Sequence, residues 1–586
     1  MHGSKTIQLP THDNPQSLAN DFNEFFVNKI STIRTNLEQN PIPLPDTLPP
    51  PSQFNGTPLS EFPPVNEEMV DKLLSGSRTT SSPQDPIPTR MLKACTALFL
   101  PVLTLLVNLS LSRGEFSSSL KKAFVIPLLK KANLDADIFK NFRPVSQLSF
   151  LSKLIERAVC KFLIAHLVTN NLYEVNQSAY RSHHSTETAL LRVQNDILRS
   201  IDRDGGALLV MLDLSAAFDT IDHATLLHML EHQCGITGTA LKWFSEYISD
   251  RYQAVQVGQS FSEFVKMEFG VPQGSVLGPI LFTCYTRPIA DIIRSHNIPF
   301  HFYADDTQLY ISFRPRDDVS RAEVVARVES CVADIRAWMT ANYLKLNDDK
   351  TELVVLSSTP HSTSPISITV GGDVVNTSVD PPRNLGVYFD DTLSMDAHIK
   401  RLKRSLNGCL YSIGKMRKYL DRETAITLIN CMVGSRLDYC NSLFYGISER
   451  NLNILQLAQN RAARIISFTP KFRSISGVRR ELHWLPIRQR IDFKVLVICW
   501  RALHGVAPAY IREMVTRRVA PRTTRSTARD LLVVPRTRLK TFGDRSFSAA
   551  APALWNSLPE NLKQLPTLDA FKRNLKTHLF AIAYDT

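Results

Sequence analysis

Short apolar runs mark two places where predicted strands end in acidic side chains. The run 207–212 is continuously apolar and is followed by Asp213. This pattern predicts a buried strand that carries a carboxylate at its C-terminal end. Two further apolar, aromatic-rich runs, 301–303 and 309–313, flank the adjacent pair Asp305-Asp306. The second pattern predicts a β-hairpin with an acidic tip.

Longer segments carry apolar residues at helical spacing, which predicts amphipathic helices. The predicted helices are Leu18–Asn36, His223–Gln233, Asp317–Leu344, Met395–Tyr419, Arg422–Leu437, Glu449–Phe468 and Ile487–Leu503. Nine prolines fall within residues 41–64 and predict an extended linker after the first helix. An arginine-rich loop is predicted over 512–538.

Length and composition indicate a protein of several structural units. A chain of 586 residues exceeds what one hydrophobic core usually organises, and its 44% hydrophobic content is ordinary for a soluble protein. We expect no run of the roughly 18 apolar residues needed to cross a bilayer, and the N-terminus lacks a signal-peptide pattern. The sequence therefore predicts a protein of the cytoplasm and nucleus with no membrane partner.

The nine cysteines are scattered along the chain, and none of them forms a Cys-x-x-Cys pair. This spacing supports neither a disulfide framework nor a zinc knuckle. We expect the cysteines to be reduced thiols within the core.

Positive charge is concentrated near the C-terminus. The chain has a net charge of +13, and residues 461–545 hold about twenty Lys and Arg against about five Asp and Glu, interleaved with aromatic residues. Such a stretch is either a solvated basic face or a surface for nucleic acid. The aromatic residues favour the nucleic-acid surface, whose binding would depend steeply on salt.

Adjacent carboxylates call for a physical explanation. At roughly 4 Å and an effective dielectric constant near 20, two such charges repel by about 4 kcal/mol. They need a divalent cation or exposure to solvent, and exposed Asp-Asp turns are common. Asp213, at the end of a second predicted strand, favours the cation. Carboxylates combined with substrate phosphates suit Mg²⁺.

A turn rich in glycine and proline lies between the two acidic sites. Residues 270–279 read Gly-Val-Pro-Gln-Gly-Ser-Val-Leu-Gly-Pro and lead into an apolar run. Glycines leave the backbone bare, so that a base or a phosphate can approach it closely.

Three ordered segments carry a resemblance to a known family: LDLSAAFD at 212–219, GVPQGSVL at 270–277 and FYADDT at 302–307. They resemble motifs A, B and C of reverse transcriptases. The flanking blocks narrow the resemblance to non-LTR (LINE-type) retrotransposons of the CR1 and jockey-like groups. These blocks are 139–146, 152–156, 177–181, 184–190, 347–352 and 384–389. The resemblance extends from about Asp21 to the end of the chain.

The resemblance implies an α+β, right-hand polymerase with fingers, a palm of antiparallel sheet and helices, and a helical thumb. The implied regions are an N-terminal helix and Pro-rich linker over 1–64, fingers and palm over 65–392, the thumb over 393–468, and a basic nucleic-acid-binding region over 469–586. Such elements normally encode an endonuclease ahead of the polymerase, and we expect none in this chain.

The same resemblance implies roles for the acidic residues and for one lysine. Asp213 and Asp305 would contact two metal ions directly, and Asp306 would support them. The metals would be Mg²⁺, with Mn²⁺ as the alternative. Lys350 would protonate the pyrophosphate leaving group. The simpler alternatives are solvated turn acids and a solvated lysine before a strand.

Further residues would bind the nucleotide and the template. Phe218 would be a steric gate against the 2′-hydroxyl, and Gln273 and Gly274 would lie along the nascent base pair. Arg143 and Lys153 resemble finger residues that clamp the triphosphate. Tyr180 and Arg181 would contact the template backbone. The alternative for Phe218 is a phenylalanine of the core, and that for Gln273 and Gly274 is a turn without a ligand role. For Arg143 and Lys153 the alternative is plain surface charge.

The predicted function is RNA-directed DNA synthesis by a retrotransposon polymerase. Its partners would be an RNA template, a DNA primer or target, and deoxynucleoside triphosphates. One alternative is a domesticated or inactive copy that only binds nucleic acid. Another is an RNA-templated RNA polymerase, and the aromatic residue at position 218 counts against it because ribonucleotides need room there.

Overall fold

The computed structural model describes residues 9–79, 82–358, 366–518 and 530–585. Its helices are α1 Pro15–Gln39, α2 Glu67–Ser75, α3 Thr89–Ala94, α4 Thr96–Arg113, α5 Phe150–Thr169, α6 Thr186–Asp204, α7 His223–His232, α8 Gly238–Ile248, α9 Gly278–Thr286, α10 Pro288–Ser295, α11 Asp318–Ala341, α12 Asp396–Met416, α13 Arg422–Ile429, α14 Ser435–Asp438, α15 Glu449–Ser467, α16 Ser476–Glu481, α17 Ile487–Leu503, α18 Ala509–Arg512, α19 Phe547–Ser557, α20 Glu560–Lys563 and α21 Leu568–Tyr584.

Its strands are mostly short. They are β1 Lys122–Leu129, β2 Phe142–Gln147, β3 Gly206–Leu212, β4 Leu214–Ser215, β5 Arg251–Val257, β6 Ser260–Phe261, β7 Val265–Met267, β8 Phe300–Tyr303, β9 Asp306–Phe313, β10 Lys345–Leu346, β11 Glu352–Ser357, β12 Ser367–Val370, β13 Asp373–Asn376, β14 Arg383–Asn384 and β15 Val387–Tyr388. Helices and sheets thus occur together, as the predicted α+β class requires.

The described residues fall into two compact units. The first unit contains the described residues within 1–174, 213–297 and 331–347, and the second contains those within 175–212, 298–330 and 348–586. Helix α11 contributes to both. Its residues Val324, Val328, Val332 and Ile335 are buried, as their helical spacing predicts.

The first unit holds a five-stranded sheet. β1 pairs with β2 in antiparallel fashion and with β5 in parallel fashion, and β5 also pairs with β6 and β7. Helix α1 covers this sheet and buries Phe22 and Phe26 against Val125, Phe142 and Val255. The predicted helix Leu18–Asn36 is therefore confirmed, and its apolar face has a partner sheet.

Helix α4 is a segment that the sequence reading missed. By length and composition it is apolar enough to cross a membrane, and 22% of it is buried in the protein. Leu103, Val107 and Leu111 are buried, whereas Leu98 and Val102 are exposed. The expectation that no such run exists was wrong, because polar residues spaced along this helix hid its length.

The second unit contains an antiparallel four-stranded sheet in the order β11-β3-β9-β8. β3 lies between β11 and β9, and successive residues on both of its faces are buried, which explains why its sequence is apolar without alternation. Helix α6 packs on β3 and β9. Ser185 caps this helix in a reciprocal capping box with Thr188. The predicted strand 207–212 and the predicted hairpin are both confirmed.

The helices after β15 share one large core within the second unit. Predicted helices Met395–Tyr419 and Glu449–Phe468 correspond to α12 and α15, and Ile487–Leu503 is α17. The predicted helix Arg422–Leu437 contains a π-helical turn, Asn430–Gly434, between α13 and α14. α17 packs against α19 and α21, which were not predicted. In the predicted arginine-rich loop 512–538, residues 519–529 lie outside the described part of the chain.

Six of the nine cysteines are buried, and Cys160 is half-buried. Cys95 and Cys431 are exposed. The expectation that every cysteine is a core thiol was therefore wrong for these two residues.

Candidate active site

Asp213 is a residue of the first unit and directly precedes β4. Its main-chain oxygen accepts a hydrogen bond from the Asn347 amide nitrogen at 2.9 Å, and its Oδ2 accepts one from Asn347 Nδ2 at 3.1 Å. β4 pairs with β10, just before Asn347. Asp213 is half-buried, and one neighbouring residue fixes both its backbone and its carboxylate.

The turn after β4 brings Phe218 and Asp219 into contact with the motif B segment. The Phe218 ring lies 4.9 Å from the ring of buried Phe282, and its main-chain oxygen accepts a hydrogen bond from the Val271 amide. Phe218 remains half-exposed. Phe218 therefore packs on the core with one part of its side chain and is exposed with the rest. A steric gate needs such partial exposure, because it must be able to meet the nucleotide.

Asp219 binds the side chain of Gln273. Gln273 Nε2 donates to Asp219 Oδ2 at 2.6 Å. Burial raises the pKa of Asp219 to about 6, and the hydrogen bond from Gln273 and the charges of Lys29 and Arg143 oppose that rise. Gln273, predicted from sequence, thus contacts this carboxylate, and the charge of Arg143, also predicted from sequence, acts on its pKa.

Two glycines of the motif B segment stand where a side chain would collide with neighbouring backbone. A Cβ at Gly270 would lie 2.6 Å from the Asp219 main-chain oxygen, and a Cβ at Gly274 would lie 2.7 Å from that of Ser146. Both glycines have positive φ, at 80° and 116°. The Ser146 amide also donates to the Gln273 main-chain oxygen at 2.7 Å, so the segment is held between motif A and β2.

A buried carboxylate fixes the other end of this segment. Glu156 of α5 is fully buried, and its Oε2 accepts hydrogen bonds from the amides of Val276 and Leu277 at 2.7 and 3.2 Å. The same oxygen accepts one from the Tyr247 hydroxyl at 3.1 Å. The sequence predicts no role for Glu156, because burial cannot be inferred from one carboxylate in a helix.

Replacing Glu156 with alanine is expected to destabilise the protein by about 3–5 kcal/mol, because four donors, the Val276 and Leu277 amides and the Tyr247 and Ser152 hydroxyls, lose their acceptor. Denaturant unfolding measures the change. Glu68→Ala is the control, since Glu68 pairs with Lys72 at the exposed surface and its loss should leave the unfolding midpoint close to that of the wild type. Equal effects of the two substitutions would contradict an anchoring role for Glu156.

Arg143 and Lys153 differ in environment. Arg143 is exposed on β2. Lys153 is half-buried in the first turns of α5, and burial lowers its pKa while Glu156 and Asp85 oppose that shift. Lys29 of α1 is a cation that the sequence reading missed. It lines a cavity of about 340 Å³ together with Asp219, Pro144, Gln253, Glu268 and Phe269.

Helix α1 is also tied to the residues that follow motif A. Arg34 is buried and pairs with Asp222 at 3.0 Å. Its guanidinium lies 3.7 Å from the Phe269 ring centre and 3.8 Å from that of Tyr343. Arg34 therefore connects α1 to the cap of α7, where Asp222 accepts from the Thr225 amide.

The acidic hairpin lies in the second unit and has a two-residue turn. Tyr303 pairs with Asp306, so Ala304 and Asp305 form the tip. Ala304 has a left-handed φ of 58°. Asp305 is half-buried and Asp306 is exposed. This geometry confirms the predicted acidic tip.

Gln177 holds the tip from one side. Its Nε2 donates to the Ala304 main-chain oxygen at 3.1 Å, and its Oε1 accepts from the Ala304 amide at 2.9 Å. Arg181 donates to the Gln177 main-chain oxygen at 3.0 Å. Tyr180 is 46% exposed and has a φ of 60°. Burial, with the nearby charges of Asp305 and Asp306, raises the pKa of Tyr180.

Lys350 ends a short 3₁₀ helix, is one residue removed from the start of β11, and is exposed. Glu352, two residues further on, pairs with Met211 near the end of β3. The structure thus places Tyr180, Arg181, Asp305, Asp306 and Lys350 in the second unit. The other predicted residues, Asp213, Phe218, Gln273, Gly274, Arg143 and Lys153, belong to the first.

Carboxylate oxygens are the donors that Mg²⁺ and Mn²⁺ prefer, so the three aspartates suit either cation chemically. Within the described ranges, no three His, Cys, Asp or Glu side chains gather into a metal-binding group. The metal assignment therefore rests on donor chemistry and strand register.

Residues 129–389 match the family of reverse transcriptases (RNA-dependent DNA polymerases). This part of the chain is a reverse transcriptase domain, and all three acidic and glycine-rich motifs lie within it. The predicted resemblance to polymerases of non-LTR retrotransposons is also confirmed by the relatives.

Three curated relatives illustrate that similarity. The chain is 26% identical over 454 residues to the probable RNA-directed DNA polymerase from transposon BS of Drosophila melanogaster, covering 74% of this chain and 48% of the relative. It is 24% identical over 431 residues to the RNA-directed DNA polymerase from mobile element jockey of Drosophila funebris, covering 72% and 46%. For the probable RNA-directed DNA polymerase from transposon X-element of Drosophila melanogaster, identity is 22% over 440 residues, covering 74% and 47%. The chain spans about half the length of these relatives.

Proposed function

We propose that this protein is an RNA-directed DNA polymerase that copies the RNA of a non-LTR retrotransposon. One observation carries the proposal. β3 and β9 are paired so that Leu212, the residue before Asp213, lies opposite Thr307, the residue after Asp306. Asp213 therefore directly follows one of two paired positions of an antiparallel sheet, and the Asp305-Asp306 pair directly precedes the other, as the predicted palm requires.

Asp213, Asp305 and Asp306 would hold two Mg²⁺ or Mn²⁺ ions. Bound cations would lower the pKa of the primer 3′-hydroxyl and hold the triphosphate. Asn347 would orient Asp213, since it fixes both the backbone and the side chain of that residue. Gln177 would fix the backbone of the turn that presents Asp305. Preorganised ligands of this kind need not be ordered again in each catalytic cycle.

The nucleotide would bind beside the motif B segment. Phe218 would exclude a 2′-hydroxyl by steric repulsion. Gln273 and Gly274 would lie along the nascent base pair, with Gln273 positioned by Asp219. Arg143 and Lys153 would contact the triphosphate oxygens, where fixed positive charge stabilises the transition state. Lys350 would deliver a proton to the leaving group.

Template and primer would lie across the rest of the protein. Tyr180 and Arg181 would contact the template backbone. Residues 65–392 would form fingers and palm, 393–468 the thumb, and 469–586 a region that adds nucleic-acid affinity. An RNA template, a DNA primer or target, and deoxynucleoside triphosphates would be the partners, in the cytoplasm and the nucleus.

Primer extension by the purified chain tests the proposal, with an RNA template, a DNA primer, each nucleotide class and Mg²⁺ or Mn²⁺. We expect deoxynucleotides to be incorporated in the order the RNA dictates. RNA binding without extension would favour the inactive binding protein. Preferred incorporation of ribonucleotides would favour the RNA polymerase.

Basic residues of the C-terminal region are expected to contribute to template affinity. The test changes Arg517, Arg518, Arg522 and Arg525 to alanine and measures the association constant K for the RNA template at several salt concentrations. The slope of log K against the logarithm of the salt concentration should become less steep by about 0.7–0.9 for each phosphate that the variant no longer neutralises. Arg522 and Arg525 lie outside the described residues. Extension at low salt should survive. The same four positions changed to lysine are the control, since lysine keeps the charge. If the alanine variant has the wild-type slope, these arginines do not bind template.

A further inference from the structure

A chain of buried polar side chains links the C-terminal part of the protein to the strand that leads into the acidic turn. His301 of β8 is fully buried, and its Nε2 lies 2.7 Å from Ser178 Oγ. Ser178 Oγ lies 2.7 Å from the hydroxyl of Tyr510, which lies 3.0 Å from Thr188 Oγ1. Ser178, Tyr510 and Thr188 are also buried. All four residues belong to the second unit.

One arrangement of protons satisfies every donor in this chain. Thr188 Oγ1 donates to the Ser185 main-chain oxygen at 3.0 Å. Tyr510 can then donate to Thr188, Ser178 to Tyr510, and His301 Nε2–H to Ser178. In this arrangement His301 Nδ1 carries no proton, which agrees with its lack of a hydrogen-bond partner in the structure. Tyr510 is the central member of the chain, since its oxygen accepts one bond and donates the other.

Tyr510 also packs against the residues that it binds. Its ring meets the His301 ring edge-on, with centroids 4.8 Å apart. Its main-chain oxygen accepts a hydrogen bond from Arg192 Nη1 at 3.1 Å. Tyr510 belongs to the short helix α18, which follows α17 and joins the large core of the second unit. Tyr510 therefore connects this core to β8 of the acidic hairpin, and no sequence motif includes this residue.

Ser178 connects this chain to the turn itself. Its amide donates to the Phe302 main-chain oxygen at 3.0 Å, and the Phe302 amide donates to the Asn176 main-chain oxygen at 2.9 Å. The intervening residue, Gln177, makes the two hydrogen bonds to Ala304. A fixed Ser178 therefore fixes Gln177, and Gln177 fixes the backbone next to Asp305.

We propose that Tyr510 is a positioning residue for the catalytic hairpin, acting through Ser178 and Gln177 on the turn that carries Asp305. The C-terminal region is on this account a structural support of the polymerase centre as well as a source of positive charge. The inference rests on the proposed function only where it concerns catalysis. The bracing of the turn is a property of the fold and can be measured without activity.

The test compares Tyr510→Phe with Tyr584→Phe in the full chain. Both substitutions remove one hydroxyl and keep the ring. The Tyr584 hydroxyl donates to the Trp484 main-chain oxygen at 2.7 Å, in the same unit but outside the chain of residues described above. Tyr584→Phe thus controls for the effect of losing any one tyrosine hydrogen bond in this unit. Ser178→Ala removes the next member of the chain and serves if Tyr510→Phe does not fold.

The first readout is hydrogen exchange of a peptide that covers 301–308, which includes the Ala304 amide. We expect Tyr510→Phe, and equally Ser178→Ala, to speed exchange there roughly fivefold, the effect of losing one net hydrogen bond. Tyr584→Phe should leave it unchanged. The second readout is single-nucleotide extension. Tyr510→Phe should lower kcat several-fold while the Kd for template and primer stays at the wild-type value, as expected when only the reacting groups are displaced.

If Tyr510→Phe and Tyr584→Phe give the same exchange at 301–308, the hydroxyl of Tyr510 does not brace the turn and the proposal is overturned. It is also overturned if Tyr510→Phe speeds exchange but leaves kcat unchanged in an active protein. Should the wild-type chain extend no primer, the proposed function fails by itself. The exchange comparison would still decide whether Tyr510 supports the hairpin.

Discussion

Replacing Asp305 or Asp213 with asparagine is expected to lower the rate of primer extension at least about a thousandfold, a barrier increase of about 4 kcal/mol. Each substitution removes a charge that would contact a metal ion, and asparagine keeps the size of the side chain. RNA binding should stay near the wild-type value, because the basic residues are untouched. Single-nucleotide extension and a separate measurement of RNA affinity check the two parts of this expectation.

Asp373→Asn is the matched control. Asp373 is an exposed residue at the start of β13, and its substitution removes the same charge outside the motifs. It should extend primers at the wild-type rate. An extension rate within threefold of wild type for Asp305→Asn or Asp213→Asn would contradict the metal assignment.

Changing Phe218 to valine is expected to admit ribonucleotides. The Phe218 side chain is half-exposed and its ring packs on Phe282, so part of it is open to solvent. Removing it should lower the preference for deoxynucleotides over ribonucleotides at least about tenfold, with some loss of deoxynucleotide efficiency. The measurement is the ratio of kcat/KM for the two sugar classes on one RNA template.

Phe218→Tyr is the control for this substitution, because it keeps the bulk of the ring. It should retain the wild-type preference for deoxynucleotides. If Phe218→Val leaves the ratio of kcat/KM unchanged while lowering stability, Phe218 is a core residue and does not select the sugar.

The strands that carry the acidic residues could be predicted because their sequence signals are local. β3 is buried at successive positions, and therefore on both faces of the sheet, which accounts for its continuous apolar run. The acidic hairpin is closed by a two-residue turn. The sequence signal of such a hairpin lies entirely within the turn and the two runs that flank it. Helices α12, α15 and α17 followed from apolar spacing for the same reason.

The supports of the site could not be predicted, because they join residues far apart in the chain. Glu156 reaches Val276 across 120 positions, and Ser178 reaches Tyr510 across 332. No pattern in a single sequence connects such residues. Burial, which makes each of these hydrogen bonds strong, is also a property of the fold and not of the local sequence.

The C-terminal region shows how charge can mislead a sequence reading. Its density of arginine suggested mainly a surface for nucleic acid, yet several arginines bind other residues within the second unit. Arg490 pairs with Asp438, and Arg545 donates to the Leu393 main-chain oxygen. α19 and α21 bury Trp555 and Phe571 in the shared core. The number of positive charges in a segment cannot distinguish an arginine that stabilises the fold from an arginine that is available to bind a phosphate.

Metal-directed cleavage of the chain tests the central claim most directly. Fe²⁺ replaces Mg²⁺ in a complex with RNA template, a dideoxy-terminated DNA primer and the next deoxynucleotide, and peroxide with ascorbate then generates hydroxyl radicals at the bound iron. We predict cleavage near residue 213 and near residues 304–306, suppressed by excess Mg²⁺ and lost in Asp305→Asn. Cleavage confined to other parts of the chain, in a preparation that extends primers, would contradict the assignment of the polymerase centre to these aspartates.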